Sequence, residues 1–262
     1  MEGEAAMTTE LVRMEHISKN FGRVQALDDV TFTVNQQEIV GLVGDNGAGK
    51  STLIKILSGA HRATSGTIYF NGQQVEIKNT WDAIQLGIET IYQDSALVPQ
   101  LSITRNLFLG REPTTGPRFL QRLDKRLMNE QAAKLLAQLG ITKQIHPDTP
   151  IESLSGGERQ SIAIARAMYF DSNLIILDEP TNNLGVEETQ RVLQFIKSAR
   201  DSGLSVIFIT HNIYHVFQVV DRIVVLRRGK KVCEADPKTT SIEAIEKVIT
   251  GIYDTLPNHE AN

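Results

Sequence analysis

A chain of 262 residues with 41% hydrophobic side chains can bury a sizeable core in one body with a subdomain, and it carries no internal repeat or low-complexity segment. The formal charge of −4 lacks the basic excess that binding a phosphate backbone demands, which argues against nucleic acid as a partner. The single cysteine, Cys233, excludes an internal disulfide and a cysteine-cluster metal site, fits a reducing compartment, and is expected to be structural filler.

Taken in chain order, residues 1–10 read as an acidic tail without the apolar core of a signal peptide. No apolar run approaches the ~20 residues that span a bilayer, so a membrane role is expected to be that of a docked subunit. Leu11 to Ile17 alternates, Val30, Phe32 and Val34 repeat at period two, and Gly66 to Gly72 is a short strand between turn glycines; these predict an antiparallel β patch. Ile39–Val43, Leu174–Leu177 and Ser205–Ile209 are continuous apolar runs, each followed by a polar turn and a helix-like stretch, as buried parallel strands are. From Gln93 to Leu154 the strand signal disappears, and Asp124 to Leu139 places Leu127, Ala132, Leu135, Leu136 and Leu139 near helical spacing, which predicts a helical insert over about 94–170. A helix over Glu187–Arg200, a turn at Arg227–Lys230 between two closing strands and a short amphipathic helix over Ser241–Gly251 complete one domain spanning 11–251. Residues 252–262 read as a polar tail, with no room expected for an added regulatory domain.

Three motifs carry chemistry. Gly44, Asp45, Asn46, Gly47, Ala48, Gly49, Lys50 and Ser51 fit G-x-x-x-x-G-K-[ST] between a buried strand and an apolar helix that starts at Thr52, the context a phosphate loop requires. The glycines let backbone N–H groups turn onto a β-phosphate, the helix start adds a positive dipole end, and Lys50 sets a cation between β- and γ-phosphates. Ser51 offers a hydroxyl to Mg2+. A chance glycine turn is the plain alternative, and the flanking strand and helix argue against it. At the end of the second apolar run, Asp178 can hold Mg2+ through water while Glu179 polarises an attacking water; alone, such a pair could merely cap the next turn. Third, Leu154-Ser155-Gly156-Gly157-Glu158 precedes a helix carrying Ile162, Ala163, Ala165, Arg166 and Ala167, a second anion site without a lysine.

With His211 at the end of the third apolar run, these motifs resemble the ATP-binding-cassette ATPase family over roughly Leu11 to Cys233. The resemblance implies an α/β fold, a P-loop NTPase of the ABC type, with an antiparallel β subdomain and a helical subdomain insert. It also implies ATP and Mg2+ as cofactors, and a head-to-tail dimer in which Ser155, Gly156 and Gly157 touch the γ-phosphate held by the partner's loop. Phe21, in Asn20-Phe21-Gly22, resembles the aromatic that stacks on adenine. Gln93 resembles the glutamine that senses Mg2+ and γ-phosphate, and His211 the histidine that contacts the γ-phosphate. By themselves these three residues could equally be core, surface and structural. The sequence departs from the family where the loop after Asp178-Glu179-Pro180-Thr181 ends in Gly185 instead of aspartate, and where Glu158 replaces the usual glutamine.

Within the family, Gly87 to Gln93, Leu101 to Glu112 and the glycine-ended loop look similar to bacterial sugar importers of the ribose, xylose and fructose kind. Many of those fuse two cassettes, so a single cassette is expected to pair with a second copy under an integral-membrane sugar permease, fed by an extracytoplasmic sugar-binding protein. The expected place is the cytoplasmic face of the plasma membrane, with Gln93 to Arg111 forming the groove for the permease. The alternative is a soluble cassette ATPase such as an iron-sulfur cluster assembly factor; a nucleotide-binding regulator that does not hydrolyse ATP is a third class.

Overall fold

The computed structural model describes residues 9–91, 97–117, 119–138, 145–170, 172–182 and 184–256, with only the backbone at 160, 161, 164, 165, 167 and 168. Its centre is a six-stranded sheet made from β3 (Ile39–Val43), β6 (Ile88–Ile91), β9 (Leu174–Asp178), β10 (Ser205–Ile209), β11 (Arg222–Arg227) and β12 (Lys230–Ala235). The spatial order is β12-β11-β3-β10-β9-β6, all parallel except the edge strand β12. Alternation along each parallel strand divides the apolar side chains between two cores. Ile39, Val43, Ile175, Leu177, Val206 and Phe208 face one, and Val40, Leu42, Leu174, Ile176, Ile207 and Ile209 face the other. Burial on both faces is why these strands read as unbroken apolar runs. Phe208, fully buried on β10, makes the point energetically: truncation to alanine there costs about 3–5 kcal/mol.

Against one face lie α1 (Lys50–Leu57) and a four-stranded antiparallel sheet, ordered β2-β1-β4-β5 from β1 (Glu10–Phe21), β2 (Val24–Asn35), β4 (Ser65–Phe70) and β5 (Gln73–Val75). The other face is covered by helices, including α5 (Gly156–Tyr169), α6 (Val186–Asp201), α7 (Ile213–Val219) and α8 (Ile242–Thr250). Between β6 and α5 run α3 (Ile103–Leu107), a hairpin of β7 (Thr114–Thr115) and β8 (Arg122–Leu123), and α4 (Lys125–Gln138). The hairpin differs from the expectation of a strand-free insert: its strands are two residues long and exposed, so no apolar alternation marks them. α2 (Thr80–Gln85), capped by Asn79, also escapes the periodicity because only Ala83 of it is buried. In α4 the buried positions are Met128, Ala132, Leu135 and Leu136, whereas Leu127 is more than a third exposed. Met128 takes the core position four residues before Ala132 that Leu127 was expected to occupy.

Two contacts anchor the insert to the sheet. Phe108, Tyr169 and Phe170 stack edge to face, with ring centroids 5.0–6.3 Å apart, and the Arg111 guanidinium lies 4.4 Å from the Phe170 ring while pairing with Glu89 of β6. Cys233 is half-buried on β12, and burial pushes its thiol up to about 11, as befits an inert filler.

Candidate active site

Because β3 and β9 both pair with β10, the three sequence motifs leave the sheet side by side. Ile209 stands opposite Leu42 on one flank and Asp178 on the other, so the loop after β3, the carboxylates after β9 and His211 after β10 gather at one carboxyl edge.

The phosphate loop is held by backbone geometry and by a neighbouring hairpin. Gly44 has φ +149° and passes so close to the Leu226 carbonyl that a Cβ would lie 2.2 Å from that oxygen. No other residue fits there. Gly229, in the turn between β11 and β12, donates its N–H to Ala48 O at 3.0 Å, bracing the loop from behind. Within the loop, Asn46 N donates to Asp45 Oδ1 at 2.7 Å and Ala48 N to Asp45 O at 3.1 Å. Lys50 is buried and its Nζ donates to Gly44 O at 2.6 Å and Asp45 O at 3.1 Å. Burial pulls its pKa down, while Glu179, Asp178 and Asp45 push it up. Ser51 and Thr52 follow on the first turn of α1, whose N-terminal N–H groups face the loop.

Asp178 is lifted above the usual carboxylate range, first by burial and then by the charge of Glu179, with Lys50 opposing. Glu179 sits at φ +53°, a left-handed conformation rare for a non-glycine residue and typical of strained functional positions. Its Oε2 is 3.0 Å from His211 Nδ1, and it also accepts the His211 N–H at 3.4 Å. Two crowded carboxylates beside one lysine and a serine hydroxyl are an oxygen donor set suited to a hard divalent cation. Among the described residues no group of three or more His, Cys, Asp or Glu is placed to hold a metal ion by itself, so nucleotide phosphates and water would complete such a cation's shell.

Two residues beyond the sequence motifs tie the segment after β10 to the turn after the carboxylates. Asn212 caps α7 by accepting Tyr214 N at 3.1 Å and His215 N at 3.4 Å, which leaves its Nδ2 to face His215 Nε2 at 3.2 Å. His215 Nδ1 lies 3.1 Å from Thr181 Oγ1. An amide donor at Nε2 makes that nitrogen the acceptor, so Nδ1 carries the hydrogen and donates to Thr181. Burial, and then the charge of His211, keep His215 below its ordinary pKa and favour this neutral form. The turn after the carboxylates is thereby buttoned to the segment carrying His211. The one legible hint was the spacing of His211 and His215, four residues apart.

Ser155, Gly156 and Gly157 form a separate locus at the start of α5. Ser155 Oγ accepts Glu158 N at 3.2 Å and Glu158 Oε2 accepts Ser155 N at 2.8 Å, a reciprocal cap that glutamate and glutamine can both make. Gly157 N donates across to Glu188 Oε1 on α6 at 3.2 Å, and Glu188 Oε2 accepts Gly185 N at 3.1 Å. Sequence motifs could not reveal Glu188, since it meets Gly157 from 31 residues away. Phe21 is 45% exposed at the end of β1, edge-on to His61 at 5.4 Å and under Lys19 at 4.9 Å, a ring presented rather than packed into the core. Gln93 lies outside the described residues.

A family profile described as ABC transporter matches residues 27–182. The xylose/arabinose import ATP-binding protein XylG of Sulfolobus acidocaldarius is 46% identical over 92% of this chain and 94% of its own length. The fructose import ATP-binding protein FrcA of Rhizobium meliloti is 43% identical over 93% and 94%. Among solved structures, the ADP conformation of MJ1267, an ATP-binding cassette of an ABC transporter, superposes with a TM-score of 0.78 at 26% identity, covering 93% of this chain and 96% of that one. Fold, motif geometry and full-length similarity coincide, and the chain belongs to the ABC transporter family as one of its ATP-hydrolysing cassettes.

Proposed function

We propose that this chain powers the import of a carbohydrate, working as a head-to-tail homodimer on the cytoplasmic face of the plasma membrane beneath an integral-membrane permease. The observation that supports the dimer is that the chain has two glycine-rich helix starts with different sets of hydrogen-bond partners. One, at α1, has Lys50 and the catalytic carboxylates; the other, at α5, offers backbone donors and a serine but no lysine, and Glu158 and Glu188 sit on two of its N–H groups. Each is half of a site, and pairing two copies head to tail completes both halves with Ser155, Gly156 and Gly157 at the partner's γ-phosphate. Carbohydrate as cargo is supported by the likeness to XylG and FrcA along nearly the whole of each chain. Among the described residues no helix is long and apolar enough to cross a membrane, so translocation itself falls to a permease, with an extracytoplasmic binding protein delivering the sugar.

In this mechanism Gly44 to Thr52 cradle the phosphates of ATP, Lys50 neutralises charge between the β- and γ-phosphates, and Phe21 stacks on the adenine. Ser51, Asp178 and Gln93 would hold Mg2+, which would neutralise phosphate charge there. Glu179 orients and deprotonates the attacking water. His211 positions the Glu179 carboxylate and reaches the γ-phosphate, while Thr181, Asn212 and His215 keep His211 in register. Nucleotide-driven closure of the dimer moves the permease, and hydrolysis resets it. Affinity purification of the full chain from gently solubilised membranes tests the assignment. Recovery of a multi-span permease, with ATPase activity stimulated by a sugar-loaded binding protein, is expected. Recovery of soluble partners alone, as an iron-sulfur assembly ATPase would give, overturns it.

A further inference from the structure

The dimer reading turns the contact between Gly157 and Glu188 into a switch. Glu188 reaches from α6 to two loops at once: one carboxylate oxygen accepts the Gly157 N–H of the signature turn at 3.2 Å, and the other accepts the Gly185 N–H at the end of the loop after Glu179 at 3.1 Å. The fit is close. A Cβ at position 157 would lie 2.6 Å from Glu188 Oε1 and 2.8 Å from both Cδ and Cγ, so glycine there makes room for the carboxylate. At position 185 glycine offers a backbone donor and no side chain, which leaves Glu188 to supply the negative charge between the two loops.

We propose that Glu188 is a carboxylate placeholder: it occupies the Gly157 N–H until a γ-phosphate carried by the partner subunit displaces it, and its departure frees the loop that follows Glu179. Two anions cannot share one N–H donor without like-charge repulsion, so the phosphate and Glu188 exclude one another at the helix start. Because the same carboxylate also caps α6 through Gly185, phosphate arrival at one signature turn is felt at Gly185 of the same subunit. That loop lies next to Thr181 and Glu179 of the other ATP site. Glu188 is thus a positioning residue that links the two sites, in a chain whose loop lacks the family's aspartate. By reciprocity, whatever holds Glu188 in its place weakens ATP-driven closure by the same factor.

The test follows ATP-driven dimerisation of the full-length chain by sedimentation velocity, in a Glu179→Gln background that blocks turnover. Adding Glu188→Gln keeps the side chain's length and a residue type that caps helices, but removes the charge. The expected result is a dimerisation midpoint at about tenfold lower ATP with an unchanged melting temperature. A merely structural role predicts the opposite sign, a lower melting temperature and weaker dimerisation. Glu188→Ala, which loses the cap as well, is expected to melt lower yet still dimerise at lower ATP. An unchanged or raised midpoint in Glu188→Gln overturns the placeholder. The dimer reading on which it rests fails differently: the background protein, with Glu188 intact, would stay monomeric at saturating ATP, or Ser155→Arg would leave the dimer undisturbed. Either outcome removes the placeholder together with that reading.

Discussion

The starts of α1 and α5 share glycine-rich turns and the positive end of a helix, yet they are furnished in opposite ways. At α1 a buried lysine curls over the loop, and the charges of Asp178 and Glu179, at the end of β9, act on it. At α5 the Ser155 and Gly157 N–H groups are held by carboxylates, Glu158 from within the helix and Glu188 from α6. In the mechanism proposed above, one end retains an anion and the other exchanges one. Like chemistry at a helix N-terminus therefore yields two functions according to which charges the tertiary structure brings up to it.

The strongest way to break the comparison is Lys50→Ala, which is expected to abolish ATP binding in a fluorescent-nucleotide titration; retained binding would refute the role given to α1. Next is Glu179→Gln, expected to lower turnover by about 10²- to 10⁴-fold in a phosphate-release assay while ATP still binds. Unchanged turnover would move the base elsewhere. Ser155→Ala sharpens the contrast from the other side. It removes a helix cap, lowering stability by about 1 kcal/mol in denaturant titration, and it should leave nucleotide binding to the single subunit intact while weakening ATP-driven dimerisation. Loss of single-subunit binding would mean that the two helix starts act on one nucleotide in cis.

The smallest effect concerns His215, whose folded-state pKa lies below its ordinary value of 6.5. Its neutral, hydrogen-bonded form contributes stability that is fully present above about pH 6.5 and is lost as the pH falls through the depressed folded value. Melting temperature should accordingly drop between pH 7 and pH 5, and less steeply in His215→Gln, which can bond to Thr181 and Asn212 without titrating. Parallel profiles for the two proteins would assign the acid sensitivity to other groups.

Much of the fold was legible because local pattern and burial coincided. The runs Ile39–Val43 and Ser205–Ile209 are strands at those residues, since a strand buried on both faces needs apolar side chains at every position. The hairpin of β7 and β8 left no trace, because exposed two-residue strands place no demand on residue type. For the site, Gly44 to Ser51, Asp178-Glu179 and Ser155-Gly156-Gly157 were readable as contiguous motifs whose backbone chemistry depends on residue type at fixed spacing.

By itself, then, the sequence determined which peptides carry the phosphate-loop and signature patterns, which strands would be buried, and that an ATP-hydrolysing cassette would result. Only the tertiary structure decided the order of strands that sets Lys50, Glu179 and His211 at one edge, the buttoning of Thr181 to His215, and the seating of Glu188 on Gly157. The physical reason is sequence distance. A motif encodes chemistry among neighbours along the chain, whereas the hydrogen bonds of Gly157 to Glu188, Thr181 to His215 and Glu179 to His211 join residues 31 to 34 positions apart, which only packing brings within reach.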